Sequence, residues 1–146
     1  MNNAERVGLM TLFDSLTAGE HNAFWTDING RLFFNKAPDG THLSDGPYAI
    51  FYSVFESSYH TFTEHIRDDL IQFSLISGES SDSKLLGMDT HLTELLDGKW
   101  YSTADAIVRM IRKQSSFSNA TEITEMGTSS ESRLDVEYDF LIQSTF

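Results

Sequence analysis

Two clusters of opposite charge are the most chemical feature of this 146-residue chain. Arg109, Arg112 and Lys113 stand close together in one apolar-alternating stretch, and Asp135, Glu137 and Asp139 recur at every second position of another. Cationic and acidic groups on neighbouring strands form cross-strand ion pairs, or they form two different patches that meet between subunits. His60 and His65 bracket Glu64, a set that a divalent metal would accept, but the spacing fits neither H-E-x-x-H nor an i, i+4 pair on a helix. Asp68 and Asp69 are a candidate acid/base pair, yet neighbours on a strand point to opposite faces. Asp89 and His91 sit among many serines, but no G-x-S-x-G turn is present to present a nucleophile. There is no G-x-G-x-x-G and no G-x-x-x-x-G-K-[ST], so nothing cradles a nucleotide phosphate. No catalytic residue, cofactor site or metal site is expected.

Composition narrows the classes further. The chain carries 22 acidic against 10 basic residues, a net charge of −12, divided evenly at −6 in residues 1–73 and −6 in 74–146. An acidic chain with no basic arm does not bind nucleic acid by neutralising phosphates, and it is repelled by anionic membranes. It has no Cys, which excludes disulfides, thiolate metal sites and thiol catalysis. The start, Met1 to Arg6, does not read as a signal peptide, and the densest apolar stretch, Tyr48 to Phe55, is far short of the about 20 residues that a bilayer requires. With 40% apolar residues and 11 Phe, a single domain over residues 1–146 has enough material for a core.

The elements that position these residues follow from periodicity. Leu9, Leu12, Phe13 and Leu16 predict a first helix, with Asn2 and Glu5 as a capping box and Gly19 as its stop. A short helical segment at Phe24 to Ile28 and a short strand at Arg31 to Asn35 follow. A polar loop over 36–46 precedes Tyr48 to Phe55, whose aromatic density predicts a central strand buried on both faces. Ile66 to Ser77 is a strand with Ile71, Phe73 and Leu75 on one face. Leu85, Met88, Leu92, Leu95 and Leu96 form a helix ended by Gly98. Ala104 to Lys113 and Arg133 to Gln143 are strands that pair, joined by a Ser-rich loop over 114–132. Leu134, Val136, Tyr138, Phe140 and Ile142 alternate with polar residues, Leu141 being the exception, the pattern of an antiparallel strand with one packed and one wet face. The class predicted is α+β: one antiparallel sheet with two amphipathic helices packed on one face.

This order of elements, with Gly30-Arg31-Leu32-Phe33, the Pro38-Asp39-Gly40 loop and Pro47-Tyr48-Ala49-Ile50-Phe51-Tyr52, resembles the tail-completion proteins of tailed bacteriophages, the tail terminator and tail-to-head joining group. The likeness runs from about residue 5 to 144. The Ser-rich connection and the acidity exceed what the group requires. The resemblance implies a non-enzymatic virion protein that forms a ring, typically six-fold, on the head-proximal end of the tail tube. Its partners would be copies of itself, the tail tube protein and the head-tail connector or neck proteins, with DNA passing through the lumen without specific binding. An acidic lumen would suit that passage, with Asp135, Glu137 and Asp139 facing it or the next subunit, and Arg109, Arg112 and Lys113 pairing across the boundary. One rival reading is a small ligand-binding or catalytic α+β domain with a pocket using Tyr52, His60 or Trp100. The other is an acidic inhibitor that mimics DNA, although its charge would be gathered in a double row, not spread evenly.

Overall fold

A computed structural model describes residues 23–41, 46–60, 64–78, 83–102, 106–124 and 127–145. The helix expected over the first 19 residues lies outside them. The described elements are helix α1 (Ala23–Asp27), strand β1 (Leu32–Phe34), β2 (Tyr48–His60), β3 (Glu64–Ser77), helix α2 (Ser83–Leu96), β4 (Trp100–Ser102), β5 (Ala106–Thr124) and β6 (Gly127–Thr145). The strands form one six-stranded sheet in the order β1-β2-β3-β6-β5-β4.

Alternation decides which face is packed. Ile71, Phe73 and Leu75 of β3 are fully buried, as are Val136, Tyr138 and Phe140 of β6, while the residues between them point the other way. Registers Phe73↔Val136 and Ile71↔Tyr138 bring these rows side by side. Ala49 and Phe51 of β2 and Val108 and Met110 of β5 extend the apolar face to both sides. Against it lie Leu85, Met88, Leu92 and Leu96, the stripe of α2, and Phe24 and Ile28 at α1. Phe73 is the hub: its ring stacks on Phe51 at 6.0 Å and meets Tyr138 edge-on at 5.7 Å, with Phe140 at 6.4 Å.

Two left-handed turns set the chain path. Gly98, at φ +70°, ends α2 and turns the chain into β4, where its N–H donates to the Met110 carbonyl. Asn29 and Gly30, at φ 51° and 73°, reverse the chain between α1 and β1, and the indole of Trp25 lies 3.4 Å from where a Cβ on Gly30 would be.

The α+β class with one sheet is as expected, and four details differ. The sheet is antiparallel throughout except that β1 runs parallel to β2, with Leu32 opposite Ala49. The strand from Tyr48 is longer, reaching His60, and is not buried on both faces: Val54 and Phe55 are 47% and 63% exposed beyond a bulge between Ser53 and Phe55. Its aromatic density serves one core face and one open margin. Trp100–Ser102 adds a three-residue strand beside β5, too short to show a period. The largest correction concerns 114–132: β5 and β6 continue through it, paired from Ala106↔Ser144 to Thr124↔Gly127, so a 19-residue strand folds directly onto another. Main-chain pairing needs no apolar period, so Ser and Thr there look like a loop in the sequence.

Phe73→Ala, which opens a cavity at the hub, is expected to lower unfolding free energy by about 3–5 kcal/mol. Phe55→Ala, at an exposed position, is expected to change it by less than about 0.5 kcal/mol. Urea unfolding followed by circular dichroism measures both.

Candidate functional site: the wet face of the sheet

The face turned away from the helices carries a row of polar contacts. Tyr52 on β2 accepts from the Gln72 amide on β3. Ser74 donates to Asp135 on β6 at 2.7 Å, and the Arg133 guanidinium donates to Asp135 at 2.7 Å and to Ser74 at 3.1 Å. On β5, Gln114 donates to Glu137 at 2.8 Å, and the Lys113 ammonium lies 2.9 Å from Asp139. A shallow polar groove of about 200 Å³, lined by Gln72, Gln114, Ser116, Asp135 and Glu137 among others, runs across this face. A second polar groove of about 290 Å³ lies among Glu56, Ser57, Ser58, His65 and Arg67.

The six charged residues singled out in the sequence are thus divided. Asp135, Glu137 and Asp139 share the wet face, as their spacing requires, and each has a partner in the same chain. Lys113 joins them through a bulge between Arg112 and Gln114, which shifts the alternation of β5. Arg112 belongs to the opposite side. It pairs with Asp89 of α2 at 2.9 Å and donates its backbone N–H to Asp97, so it ties β5 to the end of the helix. Arg109 is exposed, opposite Leu141, and makes no ion pair with a described residue.

Electrostatics on this face follow from crowded carboxylates. Burial and the nearby Asp139 charge raise the Asp68 carboxyl above its ordinary range. The hydrogen bond from Lys113 to Asp139 holds the ammonium above its usual value. On the packed face, burial pushes the Tyr138 hydroxyl up to about 12, with Thr93 within hydrogen-bond reach at 3.3 Å.

The other candidates separate. His91 pairs with Asp27 of α1, whose carboxylate also faces Lys84 at 3.8 Å, while Asp89 is committed to Arg112. These are ties between α1, α2 and the sheet, not a nucleophile relay. Asp68 and Asp69 do diverge: Asp69 is fully buried and bound by Arg67 at 2.8 Å. His60 and His65 face each other in the β2–β3 register, and the His60 and Glu64 side chains lie outside the described ones. Among the described residues no group of three His, Asp or Glu is placed to hold a metal. Tyr52 and the exposed Trp100 stand on strands four spacings apart, roughly 19 Å.

Sequence reasoning missed Arg31. Its guanidinium holds the Gly46 and Pro47 carbonyls and lies 5.6 Å from the centre of the Tyr48 ring. The segments Gly30–Phe33 and Pro47–Tyr52, quoted above for the family resemblance, are therefore joined by this side chain and by the parallel pairing of β1 with β2. An Arg two residues before an aromatic was the available signal.

Comparison with solved structures shows a likeness of fold. The fold matches a chain from the virion of a native gene transfer agent (GTA) particle with a TM-score of 0.62, over 89% of this chain and 90% of that one, at 10% identity. At that identity the likeness establishes a shared fold. No family model matches the sequence, and no curated protein matches it significantly.

Two outcomes follow from the electrostatics. The native state holds the Asp68 proton more readily than the unfolded chain, so ionised Asp68 opposes folding at neutral pH. Asp68→Asn is expected to raise Tm at pH 7, with the gain shrinking as pH falls through the carboxylate range. Tyr138 also keeps its proton longer when folded, so its contribution declines as pH rises from about 10 to 12. Tyr138→Phe is expected to flatten that part of the Tm-against-pH curve.

Proposed function

We propose that this chain is a structural protein of a phage-like virion, and that within it the chain acts at the tail-to-head junction. In this reading copies form a ring, typically six-fold, on the head-proximal end of the tail tube. The ring stops tube growth and offers a surface to the connector or neck proteins, and DNA passes through it. One observation carries the reading: nearly the whole chain has the fold of a chain from a virion particle, with close to full mutual coverage. The order of elements noted in the sequence supports the same class.

The wet face suits a wall along which DNA slides. Asp68, Asp135, Glu137 and Asp139 lie on one side of one sheet, and carboxylates do not grip phosphate. Their pairing with Lys113, Gln114 and Arg133 fixes the side chains without reversing the overall charge. Of the three cations expected at a subunit boundary, Arg109 is exposed and in this reading meets a neighbour, whereas Arg112 is engaged by α2. The proposed role is assembly, and it asks for no catalytic residue.

Native mass spectrometry of the purified chain, alone and with tail tubes from the same particle, tests the role. A closed ring that caps one end of the tubes is expected. A monomer that leaves tube growth unaltered would refute it. Arg109→Glu is expected to shift the mass distribution from ring to protomer, while Lys84→Glu, at the α1–α2 contact, should leave the ring intact.

A further inference from the structure

Among the described residues, the two margins of the sheet are open strand edges. β1 pairs with β2 only from Ala49 to Phe51, so residues 52–60 of β2 have no described strand on their outer side. β4 pairs with β5 only from Ile107 to Arg109, and beyond the Arg112 bulge residues 114–124 are likewise open. Long open edges in monomers are blunted by charge or Pro, because an exposed row of N–H and C=O groups pairs with any strand that arrives. These two are not blunted. In a chain with 22% charged residues, 52–60 has one Asp, Glu, Lys or Arg, Glu56, and 114–124 has one, Glu122; neither stretch contains Pro. Each edge also exposes large apolar side chains: Val54 at 47% and Phe55 at 63% on β2, and Phe117 at 48% on β5. Past Ser77 and Ser132, where β3 ends, β5 and β6 run on for five residue pairs with no further described strand beside them, a ribbon about 17 Å long. A two-stranded ribbon is marginal in water unless it packs on something.

Charge indicates what meets these edges. Copies of a chain at −12 repel one another, so self-association must run through a region where that charge is offset. Residues 99–118, which hold β4, the paired part of β5 and the first five residues of its open part, are net +3, with four of the ten basic residues, all of them before Gln114. β2 bears Glu56 alone and a net −1. The two edges lie at opposite ends of the sheet order, so one can meet the other without any molecule meeting itself.

We propose that a second copy of this chain docks strand to strand, the open edge of β2 in one protomer adding to the open edge of β5 in the next. The sheet then continues from subunit to subunit, and main-chain hydrogen bonds hold the contact, as in strand addition generally. The contact is heterologous and closes into a ring when the rotation per step permits. This names the interface of the ring proposed above and rests on that reading.

Two single substitutions at exposed positions test it. Phe55→Lys blunts the β2 edge and Phe117→Lys the β5 edge, and unchanged circular dichroism confirms that each protein folds. Native mass spectrometry of either variant alone is expected to show the 16.5 kDa protomer. Mixed, the two are expected to give a species of twice that mass and nothing larger, because the intact β5 edge of the first meets the intact β2 edge of the second. Persistence of the wild-type ring in either variant would overturn the edge contact while leaving the ring itself standing. Loss of assembly in Phe117→Lys alone, with Phe55→Lys unaffected, would also overturn it, in favour of β5 meeting β5. A wild-type chain that stays monomeric, with or without tail tubes, would instead remove the ring on which the contact depends.

Discussion

The stacking of Phe73 against Phe51, Tyr138 and Phe140 is the contact on which the fold depends. These four rings come from three adjacent strands, and they lie beneath α2 because every second residue of β2, β3 and β6 points the same way. A slip of one residue in the β3–β6 register would either turn Ile71, Phe73 and Leu75 to water or bring Asp135, Glu137 and Asp139 into the core. The cost of that exchange fixes the register. The fixed register in turn places all the carboxylates of β6 on one outer surface. The packed core and the acidic face are two results of one alternation.

That face differs from an enzyme cleft in its physics. Its polar groups satisfy one another along the sheet: Gln72 with Tyr52, Ser74 and Arg133 with Asp135, Gln114 with Glu137, Lys113 with Asp139. They do not converge on a shared point, and the grooves between them are shallow and polar. Such a surface meets water, a sliding polyanion or another subunit. Among the described residues the group raised most strongly, Tyr138, is inside the core, where burial accounts for it.

How much could be read in advance follows from where the physics is local. The strand from Arg133 to Gln143 and the stripe of α2 were legible because one-sided burial writes a period into the sequence. Ile71, Phe73 and Leu75 were legible for the same reason. The continuation of β5 and β6 through 114–132 was not, since its pairing is carried by backbone groups that every residue possesses. The parting of Arg112 from Lys113 was hidden as well: it depends on a bulge and on a helix carboxylate 23 positions upstream, Asp89. The clamp of Arg31 on Gly46 and Pro47 required the parallel placement of β1, which no periodicity announces.

Acidity, unblunted strand edges and a self-satisfied polar face are consistent with a building block that repels DNA and pairs with its own kind. Looking for the chain in intact particles is the most direct measurement of the proposed role. Cryo-electron microscopy of intact particles is expected to show density of this fold repeated around the head-proximal end of the tail tube, with β2 of each copy beside β5 of the next. Particles in which this position is filled by a different fold, and from which the chain is absent by mass spectrometry, would contradict the assignment.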